Sequence, residues 1–137
     1  PRDVFTANFI GETNLLEGWV KDRQEGGTRI ELRDNSVIMV EKCSSQVGEA
    51  VVVSVRPEFV FPFTDGLLSR VEYLTYLGTY WRVSARTQSN DQVEFDVPSI
   101  EGKLYHPGQE VYLMFNRKTA VVYPRPVEGV SEAVKLE

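Results

Sequence analysis

The sequence predicts an all-β chain of two small barrels in tandem, mostly antiparallel, behind a short N-terminal lead-in. Three observations predict it. Short segments rich in Val, Ile, Tyr, Phe and Trp recur along the chain, each bounded by Gly, Asn, Asp or Pro. Apolar and polar residues alternate within them, the period of a strand wet on one face. The two halves of the chain also carry a diverged internal repeat.

In the first half, Leu15 to Lys21, Thr28 to Leu32, Ser36 to Val40 and Ala50 to Val55 read as strands. Gln24-Glu25-Gly26-Gly27 and Arg33-Asp34-Asn35-Ser36 turn the chain between the first three, because Gly and Asn tolerate the positive φ of tight hairpins. Alternation places Thr28, Ile30 and Leu32 on one face and Arg29 with Glu31 on the other. Phe61 to Gly66 reads as a turn-rich joint. Beyond it, Leu67 to Tyr76, Tyr80 to Thr87, Gln92 to Val97, Glu110 to Phe115 and Ala120 to Tyr123 read as strands, broken at Leu77-Gly78-Thr79 and Gln88-Ser89-Asn90-Asp91. Pro98 ends a strand by removing a ladder donor, and Ser99 to His106 crosses over with one helical turn.

Laid on each other, Val47-Gly48-Glu49-Ala50-Val51-Val52-Val53-Ser54-Val55 matches Pro107-Gly108-Gln109-Glu110-Val111-Tyr112-Leu113-Met114-Phe115, glycine on glycine. Each copy ends in an apolar pair and a proline, Val60-Phe61-Pro62 and Val122-Tyr123-Pro124. Two five-strand units follow, similar to OB-type barrels, in which a nearly closed sheet buries its edges. Two separate β-sandwich sheets are the alternative, since periodicity does not decide strand pairing. The expected divisions are a lead-in over residues 1–14, a first half over 15–63, a second half over 64–124 and a polar, mobile tail over 125–137. In the lead-in, Phe5, Phe9 and Ile10 are expected to anchor on the sheet.

Length and composition bound what such a chain does. Its 137 residues suit one domain or two small ones sharing a core. The net charge of −5 repels phosphate backbones, which argues against nucleic acid and favours a cationic ligand or basic partner. No apolar run reaches the roughly 18–20 residues of a membrane-spanning helix, and Pro1-Arg2-Asp3-Val4 lacks the basic-then-apolar pattern of a signal peptide. A lone Cys43 forms no internal disulfide and reads as a small apolar filler. Cys43 and His106 stand too far apart for a zinc motif, and neither sits in a nucleophile motif. No G-x-x-x-x-G-K-[ST] loop is present to cradle nucleotide phosphates, so no catalytic residue, metal or cofactor is assigned to this chain.

Four segments resemble the C-terminal region of ATP-binding subunits of bacterial ABC importers. Asp3-Val4-Phe5-Thr6-Ala7-Asn8-Phe9-Ile10-Gly11-Glu12-Thr13-Asn14 is similar to the F-V-A-x-F-I-G-x-x-N stretch that follows the ATPase domain in that family. Gly48 to Glu58 is similar to its G-E-x-V-x-V-S-I-R-P-E. Val71 to Thr79 resembles the V-x-x-x-x-Y-L-G-x opening of the half called the TOBE domain, and Pro107 to Leu113 its P-G-x-x-V-x-L ending. The match spans about residues 3 to 124; Asn8 and the tail after Pro124 depart from the pattern.

The resemblance implies a TOBE-type pair of OB-like barrels, cytoplasmic and held at the inner face of the cell membrane as part of a transporter. Its implied partners are its own N-terminal ATPase domain, which would bind ATP and magnesium, a second copy of the subunit, and through the ATPase domain the transmembrane permease. Within the family, Phe9 to Gly18 is most similar to the spermidine and putrescine branch; iron, sulfate, sugar and glycine betaine importers share much of the wording. A stand-alone OB-like module for a small ligand is the reading of a different class.

Two groups of candidate residues follow. Phe9, Gly11, Glu12 and Asn14, at the join to the ATPase domain, and Arg56 with Glu58, at the end of an apolar strand, are candidates for interdomain or dimer contact; a Gly admits close backbone approach, and polar side chains cap or bridge. Tyr73, Tyr76, Tyr80 and Trp81 with Glu72, Asp91, Glu94 and Asp96 offer the aromatic faces and carboxylates that ammonium groups need, and are candidates for ligand sensing. Packing in the core and at its rim is the structural role to weigh against that one.

Overall fold

A computed structural model describes residues 13–126. Ten strands follow in order: β1 (Asn14–Gln24), β2 (Gly27–Leu32), β3 (Val37–Val40), β4 (Ala50–Val55), β5 (Val60–Phe63), β6 (Leu67–Tyr76), β7 (Tyr80–Thr87), β8 (Gln92–Pro98), β9 (Glu110–Phe115) and β10 (Val121–Pro124). Single 3-10 segments at Pro57–Phe59 and Ser99–Leu104 lead into β5 and out of β8. All pairings are antiparallel, in two five-stranded sheets ordered β10-β4-β1-β2-β3 and β5-β9-β6-β7-β8.

The two orders are the same order, and the repeat holds at the level of single bonds. Gly48 and Gly108 both sit at φ 92°, a left-handed conformation that favours glycine. The Gly48 N–H donates to the Val20 carbonyl and the Gly108 N–H to the Val71 carbonyl, each at 2.8 Å. Both first strands then slip register past that valine, between Val20 and Asp22 in one copy and Val71 and Tyr73 in the other. Asn35 at φ 71° and Asn90 at φ 69° close the equivalent hairpins.

One element departs from the expectation. Phe61 to Gly66 reads as a turn in the sequence, yet Val60–Phe63 is a strand paired with β9. It tolerates Pro62 because it is an edge, where a missing N–H breaks no ladder on the open side. Pro124 likewise lies on an edge, at the end of β10 opposite Val51 in the other sheet. These two strands are also exchanged: β5, from the first repeat, completes the second sheet, and β10, from the second repeat, completes the first.

The core runs continuously through both sheets. Leu16, Val20, Ile30, Ile38, Val51, Val53 and Val55 from the first sheet and Leu67, Val83, Val93, Phe95 and Leu113 from the second are all at or below 2% exposed. Each such side chain contributes about 1.5–3 kcal/mol by leaving water. Thr28, Ile30 and Leu32 face inward together, and Arg29 and Glu31 lie on the opposite, less buried face, as the alternation requires.

Candidate functional site

The described residues begin where the chain enters the first sheet. Asn14 opens β1 opposite Val55, and Thr13 Oγ1 lies 2.9 Å from Ser54 Oγ. The Asn14 side chain leaves its own sheet. Its Nδ2 donates to the Glu94 carbonyl at 2.8 Å, and its Oδ1 accepts the Glu94 N–H at 2.7 Å. One amide thus reproduces a pair of ladder bonds on the open edge of β8 and ties the two sheets together.

Beside this clamp the chain leaves β4 and makes the turn Arg56-Pro57-Glu58-Phe59. Pro57 stands at its first position, where its fixed φ suits a helical turn and its missing N–H costs nothing. Arg56 Nε donates to Glu58 Oε2 at 3.0 Å. Opposite, Arg82 on β7 faces Asp96 on β8 across the ladder, and its Nε and Nη2 grip the two carboxylate oxygens at 2.8 and 3.1 Å. Arg82 also lies over the Tyr80 ring, 5.8 Å from its centroid. Arg56, Glu58, Tyr80, Arg82 and Asp96 line one open cleft of about 360 Å³ at the seam of the sheets.

The two ion pairs in this cleft differ in kind. The Arg82 and Asp96 side chains are 9% and 13% exposed, those of Arg56 and Glu58 58% and 43%. The first is a structural pair in low dielectric, and the second stands in solvent, where such pairs contribute little to folding. Partial burial pushes the Glu58 carboxyl up, but a backbone hydrogen bond, Arg56 and the farther Arg82 outweigh it and hold its pKa below the usual carboxylate value.

The candidates from sequence distribute around this centre. Asn14, Arg56, Glu58, Tyr80, Glu94 and Asp96 gather at the seam; Phe9, Gly11 and Glu12 lie outside the described residues. Glu72 sits at the register slip of β6 and pairs with Arg86 at 3.1 Å. Tyr73 is half exposed on the same outer face, where its hydroxyl accepts from Gln92. Asp91 lies in the β7–β8 turn, holding Arg33 at 3.1 Å and accepting from Ser89 at 2.8 Å. Tyr76 and Trp81 are opposite each other at the sheet's end, with ring centroids 4.8 Å apart, and Trp81 packs against the core, over Gly102. Of the aromatics, then, only Tyr80 reaches the cleft. Glu72, Asp91 and Asp96 each hold an arginine already, so an ammonium ligand would have to displace it.

Arg82 is the residue that reading the sequence misses. Its signal is the alternation of β7, which sets Tyr80, Arg82, Ser84 and Arg86 on the face opposite Val83 and Ala85. Its partner Asp96 becomes visible only once β7 and β8 are in register.

Comparison with known proteins agrees with this architecture. The model of the TOBE domain matches residues 53–122. The spermidine/putrescine import ATP-binding protein PotA of Pseudomonas fluorescens is 30% identical over 131 residues, 89% of this chain and 35% of that protein. PotA 2 of Pseudomonas aeruginosa is 32% identical over 123 residues, covering 81% and 34%. The lactose transport ATP-binding protein LacK of Rhizobium radiobacter is 30% identical over 134 residues, covering 90% and 36%. The chain therefore spans about a third of the length of these curated relatives. Among solved structures, the cytoplasmic molybdate-binding protein ModG superposes with a TM-score of 0.73 at 17% identity, over 83% of this chain and 97% of that one. By its OB-like fold, its duplicated halves and a family match over half of its residues, this chain belongs to the TOBE domain family.

Proposed function

We propose that the chain is the regulatory and dimerising domain of the ATP-binding subunit of an ABC importer for polyamines, spermidine or putrescine. The observation that carries this reading is the alignment of spermidine/putrescine import ATP-binding proteins along nearly the whole chain. In the proposal an upstream ATPase domain binds ATP and magnesium, a second copy of the subunit pairs with the first, and the permease is reached through the ATPase domain. The assembly lies on the cytoplasmic side of the membrane. A domain with this task must differ in affinity between the open and closed states of the motor, since a contact equal in both shifts nothing. Two sheets tied by exchanged strands and the Asn14 clamp suit that role, because such a body transmits displacement instead of absorbing it.

Uptake of radiolabelled spermidine by cells lacking the gene tests the reading. Loss of uptake, restored by the full-length gene and not by a copy deleted for residues 13–126, is the expected result. Normal spermidine uptake with loss of lactose or ferric iron uptake would transfer the assignment to a sugar or iron importer, of which LacK is a matched relative for sugars. Direct sensing of the solute through Glu72, Asp91 and Asp96 is tested by calorimetric titration with spermidine; absence of heat at millimolar ligand rules it out.

A further inference from the structure

We propose that the groove on the outer face of β5 and β9 is a docking site for an acidic segment of another protein. An apolar side chain of that segment seats on Phe61, Phe63 and Met114, and its carboxylates meet Arg117 and Lys118. The inference goes beyond the importer reading and does not depend on which solute is carried.

The duplication supplies the first support, because each repeat can be compared with the other at the same ladder position. In the first sheet Val51, Val53 and Val55 point into the core and Val52 points away from it, between Tyr123 on β10 and Glu17 on β1. Val52 is nevertheless 0% exposed. Arg125 closes that face, 3.0 Å from Glu17, donating to the Gly18 carbonyl at 3.1 Å and lying 4.8 Å over the Trp19 ring. In the second sheet the same three places hold Phe63, Tyr112 and Leu68. There the chain turns back from Phe63 into β6, and Phe63 and Tyr112 stay 56% and 42% exposed, with Phe61 beside them at 40%. The water-facing side of an antiparallel sheet is ordinarily polar, and a run of aromatic side chains on it marks an interaction site.

Shape is the second. Met39 joins Phe61, Phe63 and Met114 in lining a groove of about 640 Å³ that ends at Arg117 and Lys118. Phe61 and Phe63 meet edge to face with centroids 6.1 Å apart, and the methionines can shape themselves around an inserted side chain. A small ligand is held where roughly 70–90% of its surface is covered, which so open a groove does not provide; a longer segment gains from its length. Pro62 offers no N–H to an added strand, so the partner docks on side chains. A concave face also does not fit a copy of itself about a two-fold axis.

Charge is the third. Both charged side chains of the groove are cations, in a chain of net charge −5, and among the described residues neither is held in an ion pair. Their backbone is pinned: the Asn116 N–H donates to the Phe59 carbonyl, the Glu41 N–H to the Arg117 carbonyl and the Lys118 N–H to Asn116 Oδ1, each at 2.9 Å. Fixed in place and unpaired, the two cations complement carboxylates beside an apolar anchor. An anionic membrane offers the same sign of charge, but two cations are too few to hold a chain of this net charge against it.

The test selects a phage-displayed library of random dodecapeptides on the immobilised full-length protein and measures the enriched peptides by fluorescence anisotropy. Enriched sequences are expected to join Asp or Glu to Phe, Leu, Trp or Met, and to bind Arg117→Glu/Lys118→Glu about tenfold more weakly than the parent. Phe63→Ser removes an anchor and should weaken them about as much. Arg117 and Lys118 are exposed, so the melt of the charge-reversed protein should stay within about 2 °C of the parent; a variant that melts lower is replaced by Arg117→Gln/Lys118→Gln. A selection that enriches nothing, or peptides that bind parent and reversed variant alike, overturns the site. So does binding that emerges only after removal of residues 127–137, which makes the chain's own end the occupant, or a parent dimer that the reversal dissociates, which makes it a second copy. Phosphatidylserine vesicles that capture the parent and not the variant, with no peptide selected, overturn it in favour of lipid. None of these outcomes bears on the importer reading, which the uptake assay decides.

Discussion

Replacing Asn14 by alanine removes a side chain that joins β1 to the edge of β8. Two hydrogen bonds, at 2.8 and 2.7 Å, are lost from a residue only 5% exposed. Each is worth about 1 kcal/mol net, and stranding the Glu94 N–H and carbonyl adds a desolvation cost that water entering at the edge partly relieves, so the total is about 2–3 kcal/mol. For a chain of this size a kcal/mol moves the midpoint by about 3–5 °C, which places the melt of Asn14→Ala roughly 10 °C below the parent. Thermal unfolding followed by circular dichroism measures the shift, and hydrogen exchange at the Glu94 amide identifies its origin. That amide should pass from slow to fast exchange while core amides of β7 respond only to the global loss. A melt within 2 °C of the parent, with Glu94 still protected, would refute the clamp and leave the exchanged strands and the shared core as what joins the two sheets.

Three further outcomes are expected. Gly102→Ala places a methyl carbon 2.3 Å from Cδ1 and Nε1 of the Trp81 ring, which must shift; overpacking of this kind costs about 1–3 kcal/mol, and Trp81 fluorescence should move to the red in the folded state. Asp96→Asn leaves Arg82 buried beside a neutral partner and should lower stability by about 2–4 kcal/mol in urea titrations, whereas Arg82→Met with Asp96→Leu should lie near the parent; equal losses in both would show that the pair is needed for itself. At Asp22, the hydrogen bond from Arg29, whose Nε donates to Oδ1 at 2.8 Å, outweighs slight desolvation and holds the carboxyl below its usual value. Its folded pKa being depressed, the ionised form favours the native state above the unfolded pKa, and that contribution disappears as pH falls through the folded one. An NMR titration should find the Asp22 midpoint below the usual carboxylate value and see it rise in Arg29→Ala; a midpoint that does not move refutes the assignment.

Strand positions are legible in this sequence because its turns are explicit. Gly26-Gly27, Asn35 and Asn90 do occupy the positive-φ positions that hairpins need, and β4, β6, β7 and β9 begin and end where the apolar segments do. β5 is the exception. Phe61-Pro62-Phe63 has strand composition, but proline signals a break unless its open edge is known, and edges belong to pairing, which periodicity does not encode. The same gap hides the exchange of β5 with β10 and the partnership of Arg82 with Asp96. Asn14 stands out in the sequence as a polar residue able to bridge. That it bridges to the backbone of β8, 80 residues away, is a fact of tertiary structure alone. The candidate ligand-sensing residues are close in sequence, and the pleat divides them, sending Tyr80 and Asp96 to the cleft and Trp81 to the core.

The traded fifth strands make the two repeats mutually dependent. Neither closes its own sheet: each leaves a groove that the last strand of the other fills, β5 on β9 and β10 on β4. Cutting the chain at Asp65 should then yield two pieces that are aggregation-prone apart, each with an unfilled sheet edge, and that reassemble when mixed. Failure of the halves to find each other in a refolding titration would argue that each half can complete its sheet alone.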